Sequence, residues 1–425
     1  MHEQDHRRGR RLPRLPRPWA LIAALACGGF GIGVSEFLVM GLLPQIAEDL
    51  LPALAATRPD AALAASGGLA SAYALGVVVG MVVTPALLRR LSERGTLIAC
   101  AGSMLVWTIA TALAPTLGSA LVLRFLAALT HASYIGVAAL AAAHLLGGRS
   151  YGRGSALIHG GLAAANLLGV PALTALGAAL DWRLVLAGCA VFFAVPLLAL
   201  LLRQPPTAPT GTVAPGGANL TGRLIALVLA AIAVAGGGFA IVTFVAPVTA
   251  WAQGVGGWLT PPLAMLTPPL AMLTFGLGMN LGNLVAGWSA DRWPRAAFIG
   301  AAATGALGAG IMLVPGLGAV GAALGVTFVG AMLGGGSPAV QVLFLRELPR
   351  WPRLAAALPS GAANLGSFLG SLIGGAALAL SGAAAVPGAA LVLVAIGAVC
   401  FIALRSPGPR GESGATRSPR IEPRG

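Results

Sequence analysis

The chain has 425 residues, of which 57% are hydrophobic and only 9% charged, yet its net charge is +14. A soluble domain of this length carries roughly a quarter charged residues, so this chain cannot cover a water-facing surface and most of its exterior must face lipid. Every basic residue is an arginine. So basic a balance suggests nucleic acid in a soluble protein, but the positions of the arginines exclude that reading.

A helix needs ~20 apolar residues to cross ~30 Å of hydrocarbon. In chain order such runs lie at 19–44, 64–88, 96–114, 119–146, 155–179, 182–202, 223–250, 268–288, 296–315, 318–345, 359–380 and 386–404. They are long, rich in Ala and Leu, and lack the period-two alternation of strands. The expectation is an all-α membrane protein of twelve transmembrane helices. The Arg-rich tail 1–18 followed by Ala24-Leu25-Ala26-Cys27 has the look of a lipoprotein signal. The apolar run continues to Leu43, however, which is too long for a signal core, and eleven further spans follow.

With the N-terminus placed inside, 23 of the 26 arginines lie on the cytoplasmic side, Arg58 and Arg183 lie outside, and Arg124 falls within a span. The positive-inside rule therefore puts both termini in the cytoplasm of a bacterial-type inner membrane. Cys27, Cys100, Cys189 and Cys400 sit singly in apolar runs, without metal-ligand spacing. No metal, cofactor or nucleic acid is expected.

The Pro/Gly/Thr-rich stretch 203–222 separates a six-helix bundle at 19–202 from a second at 223–404, and a cytoplasmic tail, 405–425, follows. The halves share a pattern at offsets of 198 to 203. Gly33 and Pro44 match Gly236 and Pro247; Gly76, Gly80 and Arg90 match Gly278, Gly282 and Arg292; Asn166 matches Asn364. Two parallel six-helix repeats with a substrate site at their interface is a transporter plan. A local repeat is separate from this: Leu259–Met265 recurs as Leu266–Met272, and its paired prolines suggest a lengthened outer loop before span 8.

Several sequence words are those of a family. Gly33-Val-Ser-Glu36-Phe-Leu-Val-Met-Gly-Leu-Leu-Pro44 resembles the first helix of drug:proton antiporters of the major facilitator superfamily, closest to the arabinose-efflux and chloramphenicol-export type. Ser71-Ala-Tyr73-Ala-Leu-Gly76-Val-Val-Val-Gly80 is similar to that group's second helix, and Arg124-Phe-Leu-Ala-Ala-Leu-Thr-His131 to its fourth. Asn166-Leu-Leu-Gly169-Val-Pro171 resembles the antiporter motif of helix 5, and Gly287-Trp-Ser-Ala-Asp291-Arg292-Trp-Pro-Arg295 the loop motif after helix 8. The chain departs from the pattern after span 2, where the usual Gly and Asp are missing, and at Pro294, which replaces a Gly.

Glu36 is the single acid within these spans. A carboxylate in hydrocarbon costs on the order of 3 kcal/mol or more, so it faces a partner or a wet cavity; the expectation is proton exchange, the alternative a structural pair with Arg124. Arg124 cannot release a proton and would tune Glu36 or bind an anion. His131 lies seven residues on, with Tyr134 beside it, making a polar stripe in which His131 is a relay candidate. Ser35, Tyr134, Asn280, Asn283, Gln341 and Asn364 are candidate cavity residues. The resemblance makes Asn166, Gly169 and Pro171 a hinge and Gly287, Asp291, Arg292 and Arg295 a cytoplasmic latch.

Metalloprotease, redox, P-loop and nucleophile-elbow motifs are absent from the sequence, which argues against an enzyme or a nucleotide-driven pump. The leading expectation is a monomeric, proton-coupled exporter of a small hydrophobic or amphipathic compound. Alternatives are an exporter of a sugar, nucleoside or other metabolite and, more remotely, a membrane sensor or membrane enzyme.

Overall fold

A computed structural model of the chain describes residues 17–146, 151–202, 221–254, 267–314, 316–349 and 352–403. The central stretch 203–220, both tails and the first LeuThrProProLeuAlaMet copy lie outside them. Among the described residues there are twelve helices long and apolar enough to cross a membrane. They are α1 (Pro18–Gly41), α2 (Pro59–Leu88), α3 (Glu93–Ala112), α4 (Leu117–Leu145), α5 (Ala156–Ala179), α6 (Trp182–Leu202), α7 (Gly222–Thr243), α8 (Pro268–Ser289), α9 (Pro294–Met312), α10 (Gly318–Glu347), α11 (Ala357–Ser381) and α12 (Ala385–Ile402).

The hydropathy reading runs spans 1 and 7 too far. α1 stops at Gly41, turns at Leu42 and resumes as Leu43–Leu50; α7 stops at Thr243, turns at Phe244 and resumes as Val245–Gly254. Proline is the cause in both. Pro44 and Pro247 have no N–H for the carbonyls of Met40 and Thr243, and their rings clash there. The second copy of the seven-residue repeat, from Thr267 onward, forms the first turns of α8 instead of a loop. Its prolines, Pro268 and Pro269, fall where a helix has no carbonyl to satisfy.

Two further interruptions shape the centre of the molecule. α4 breaks at Leu129–Thr130, and the Leu129 carbonyl accepts a bond from Thr84 Oγ1 of α2 at 2.7 Å. In α5, Ala165–Gly169 is one turn of π-helix, closed by the Val170 N–H on the Ala165 carbonyl. Pro171 removes the next donor, and a widened turn accommodates that loss.

The repeat seen in the sequence is also a repeat of packing. A Cβ at Gly76 or Gly80 would strike the carbonyls of Phe125 or Leu129 on α4; one at Gly278 or Gly282 would strike those of Thr327 or Ala331 on α10. All four partners are 202 residues apart in pairs. Glycine is required because backbone meets backbone. The helix ends agree: Arg94 donates to the Leu200 carbonyl at 2.9 Å, and Arg295 lies over the Phe401 ring at 4.9 Å.

α3 packs with α6 and α9 with α12, each within its own half. Exposed apolar stripes run along them at helical spacing, Val191, Val195, Leu198 and Leu202 on α6 and Val392, Ile396 and Val399 on α12. The halves meet through α2 on α11 and α5 on α8. On the face away from the start of α1 and the end of α12, one apolar cluster fuses them, with Phe37, Met40, Leu43 and Val170 against Phe239, Phe244, Phe275 and Val386. Toward the termini the cores separate into one around Leu25, Ile158 and Leu200 and another around Phe298, Phe344 and Phe401. The protein is closed on one face and parted on the other.

Candidate functional site

Ser35 and Glu36 lie on α1 just below the closed face, one helical turn before the Met40 that Pro44 releases. Glu36 is half-buried and has the Phe37 ring as its neighbour. Phe37 stacks on Phe239 of α7 at 6.1 Å and tilts against Phe275 of α8 at 5.6 Å. Phe37 therefore sits at the seam of the two halves, within the apolar closure, and Glu36 precedes it on α1. The other acids found in the spanning helices, Asp60, Glu93 and Glu347, occupy first or last turns.

Arg124 is 1% exposed. Its guanidinium donates to the Ser35 carbonyl at 2.8 Å and the Ser35 hydroxyl at 3.1 Å, and lies over the Tyr73 ring at 4.4 Å. No ion pair between Glu36 and Arg124 occurs among the described residues. The structural pair with Arg124, the alternative reading of Glu36, is not formed; the cation is held one residue away, on Ser35. Arg124 Nε remains buried without a hydrogen-bond partner.

His131 shares a hydrogen bond of 3.1 Å with Tyr73 Oη. The stripe drawn from helical spacing is not continuous, because the break at Leu129–Thr130 turns α4 between Arg124 and His131. Tyr134 leaves the group altogether. It is fully buried and donates to the Leu25 carbonyl at 3.0 Å, resting on Gly28, so it packs inside the first bundle instead of lining a cavity. Tyr73, quoted in the sequence only as part of a motif, is the residue that joins Arg124 to His131. The sequence offered only part of the signal: Gly76 and Gly80 recur in the second half as Gly278 and Gly282, and Tyr73 lies one turn before Gly76. That Gly76 packs on Phe125, beside Arg124, is seen in the fold alone.

The π-turn in α5 is one of the places where the halves touch. Gly276 of α8 packs on the backbone of Asn166 and Leu167, and Asn280 Nδ2 donates to the Ala163 carbonyl at 3.3 Å and the Gly276 carbonyl at 2.8 Å. Asn166 bonds back to Leu162 O at 3.2 Å, and Asn364 to Ser360 O at 2.9 Å. Each leaves a buried amide oxygen unpartnered. Gly169 packs on Phe30 and Val34, and Pro171 is buried. Nearer the termini, His159 on α5 and Asn283 and Gly287 on α8 are exposed where the two helices part. Gln341 on α10 is half-buried.

At the parted face, Asp291 and Arg292 are exposed, and the Asp291 carbonyl accepts from Arg346 at 2.7 Å. Arg295 belongs to the α9–α12 contact instead of the loop. In the first half, Glu93 is buried and bonds His144 at 3.2 Å, joining the start of α3 to the end of α4.

With this geometry in view, residues 25–353 match the profile of the Major Facilitator Superfamily. The chain is 30% identical over 363 residues to the inner membrane transport protein YdhP of Escherichia coli (strain K12), covering 84% of this chain and 88% of that one. It is 32% identical over 297 residues to a chloramphenicol resistance protein of Streptomyces lividans, covering 66% and 68%. Its fold is that of a crystallised D-xylose-proton symporter, with a TM-score of 0.68 at 13% identity over 92% of this chain and 97% of that one.

Proposed function

Because the chain belongs to the Major Facilitator Superfamily and is a multi-pass inner-membrane transporter, we propose that it exports small hydrophobic or amphipathic compounds in exchange for protons. The observation that carries this reading is Glu36, a half-buried acid within α1, between Ser35, which holds the Arg124 guanidinium, and Phe37, which meets the second half. Protonated, it suits a closed, dry site; ionised, it demands water or the guanidinium held one residue away. Glu36, Arg124 and His131 form the coupling group in this account. Asn283 and Gln341 offer neutral hydrogen-bonding groups that are not buried, whereas Ser35 is engaged by Arg124 and the Asn280 and Asn364 amides bond backbone carbonyls. A neutral set suits an amphipathic compound better than a charged one. Export is favoured by the likeness to the Streptomyces lividans chloramphenicol resistance protein.

In this scheme bundles 19–202 and 223–404 rock as bodies within one monomer in the bilayer. The π-turn at Asn166, Gly169 and Pro171 is the hinge, and Gly287, Asp291 and Arg292 latch the parted face when it closes. In the same scheme that face, the tails 1–18 and 405–425 and the linker 203–222 are cytoplasmic, a reading supported by the arginine bias.

The test is purified protein in vesicles loaded with a pH dye and challenged with a panel of amphipathic compounds, chloramphenicol among them. At least one compound is expected to move against a counter-flow of protons. Transport without proton movement would overturn the coupling, and protons travelling with the compound would overturn the exchange.

A further inference from the structure

Tyr73 makes two contacts that no motif assigns to it. One ring face carries the Arg124 guanidinium at 4.4 Å, and its hydroxyl bonds His131 Nδ1 at 3.1 Å. It is 3% exposed, so neither contact is shared with solvent. The two partners lie on opposite sides of the α4 break at Leu129–Thr130. A side chain of α2 therefore spans an interruption in α4, and it does so where Thr84, three turns further along α2, bonds the Leu129 carbonyl freed there.

We propose that Tyr73 is the positioning residue of the coupling centre: it holds the Arg124 guanidinium on Ser35, away from Glu36, and ties that position to His131. This rests on the coupling role given above to Glu36, Arg124 and His131. Ser35 and Glu36 are consecutive, so ionised Glu36 competes for a cation already engaged next door, and Arg124 Nε is a buried donor with no partner to lose. A guanidinium drawn from Ser35 to Glu36 leaves the Tyr73 ring or pulls it, and the strain reaches His131 through one hydrogen bond. The charged and titratable groups around this set are Glu36 of α1 and Arg124 and His131 of α4, with Cys189 of α6 near enough to Arg124, and His159 of α5 to His131, to interact electrostatically. At the position equivalent to Tyr73 in the second half stands Phe275, which keeps the ring and lacks the hydroxyl.

Tyr73→Phe makes that exchange while preserving the packing. Two readouts are needed. In ¹⁵N spectra of the protein in nanodiscs, with His131 assigned by His131→Gln, the Nδ1 signal is expected to move to its non-hydrogen-bonded position in Tyr73→Phe. In vesicles, proton-driven accumulation should fall roughly tenfold, the size of one hydrogen bond in such a network, and Tyr73→Phe combined with His131→Gln should be no worse than the worse single change. An unmoved His131 signal, or losses that multiply, would overturn the proposal. The spectra use neither substrate nor gradient. If the parent shows no proton coupling, the functional reading fails and takes the coupling role of Tyr73 with it, while the spectra still decide whether Tyr73 holds His131.

Discussion

In the first half, Gly76 and Gly80 bring α2 against the carbonyls of Phe125 and Leu129; in the second, Gly278 and Gly282 bring α8 against those of Thr327 and Ala331. The frames are the same, but their contents differ. Where the first half has Tyr73, Arg124 and His131, the second has Phe275, Val326 and Leu333. With the offset that matches Gly33 to Gly236 and Pro44 to Pro247, Ser35 and Glu36 correspond to Gly238 and Phe239. The second set is apolar and packs together: Phe239, Phe275 and Val326 share one cluster, Leu333 lies against it, and Gly238 faces Leu333. A backbone that closes over valine and phenylalanine has no structural need of arginine and glutamate. The charges in the first half are an addition to the scaffold, made at a desolvation cost, and such an addition points to a task.

The comparison breaks most sharply if the contents are exchanged. Val326→Arg places a cation in a cluster with no acceptor in the role of Ser35, and a buried uncompensated charge costs about 3 kcal/mol or more; little folded protein should survive detergent extraction. Arg124→Val installs the second half's residue in the first. It should fold, with transport reduced at least about a hundredfold, as befits loss of two charge-assisted hydrogen bonds. A well-folded Val326→Arg or an active Arg124→Val would show that the halves do not differ in the way described. The shared frame is probed by Gly80→Leu and Gly282→Leu. Each drives a side chain into a carbonyl on the facing helix, so each should cost about 1–3 kcal/mol, and thermal melts of the two should agree. One tolerated and one not would mean the packing is not repeated.

Much of this was legible before the fold. The twelve helices follow from hydropathy because lipid leaves the backbone no other way to satisfy itself, and the glycine matches survive as real contacts because only glycine permits them. What the sequence concealed was direction. Ser35 takes the guanidinium that could have paired with Glu36, because a one-residue difference on a helix is invisible to a hydropathy window. Tyr134 turns into the first bundle because α4 breaks at Leu129–Thr130, and no proline or glycine marks that break. At Leu42 and Phe244 the breaks do have their prolines, at 44 and 247, and the runs of apolar residues simply hide them.

Smaller effects sharpen the contrast between the two faces. Asp291 and Arg292 stand exposed at the parted face, so Asp291→Asn should leave this arrangement intact and slow turnover a few-fold by weakening the latched one, about 1 kcal/mol for one hydrogen bond. Distance measurements between spin labels on α5 and α8 would show the parted state gaining population; wild-type turnover and an unchanged distance would remove the latch. Smallest of all is deletion of Leu266–Met272. The preceding copy is identical and would supply the same Ala and Met that are buried at 271 and 272, so the unfolding free energy should stay within about ±0.5 kcal/mol of the parent. Loss of folding would show that the first copy does more than lead into α8.

The claim on which all this depends is that Glu36 changes its charge during transport, and Glu36→Gln tests it directly because glutamine keeps the shape and the hydrogen bonds and cannot titrate. In vesicles, the variant should lose accumulation of compound driven by an imposed proton gradient while still exchanging labelled for unlabelled compound across the membrane without one. A Glu36→Gln protein that accumulates compound against a gradient as well as its parent would contradict the account and make this carboxylate structural.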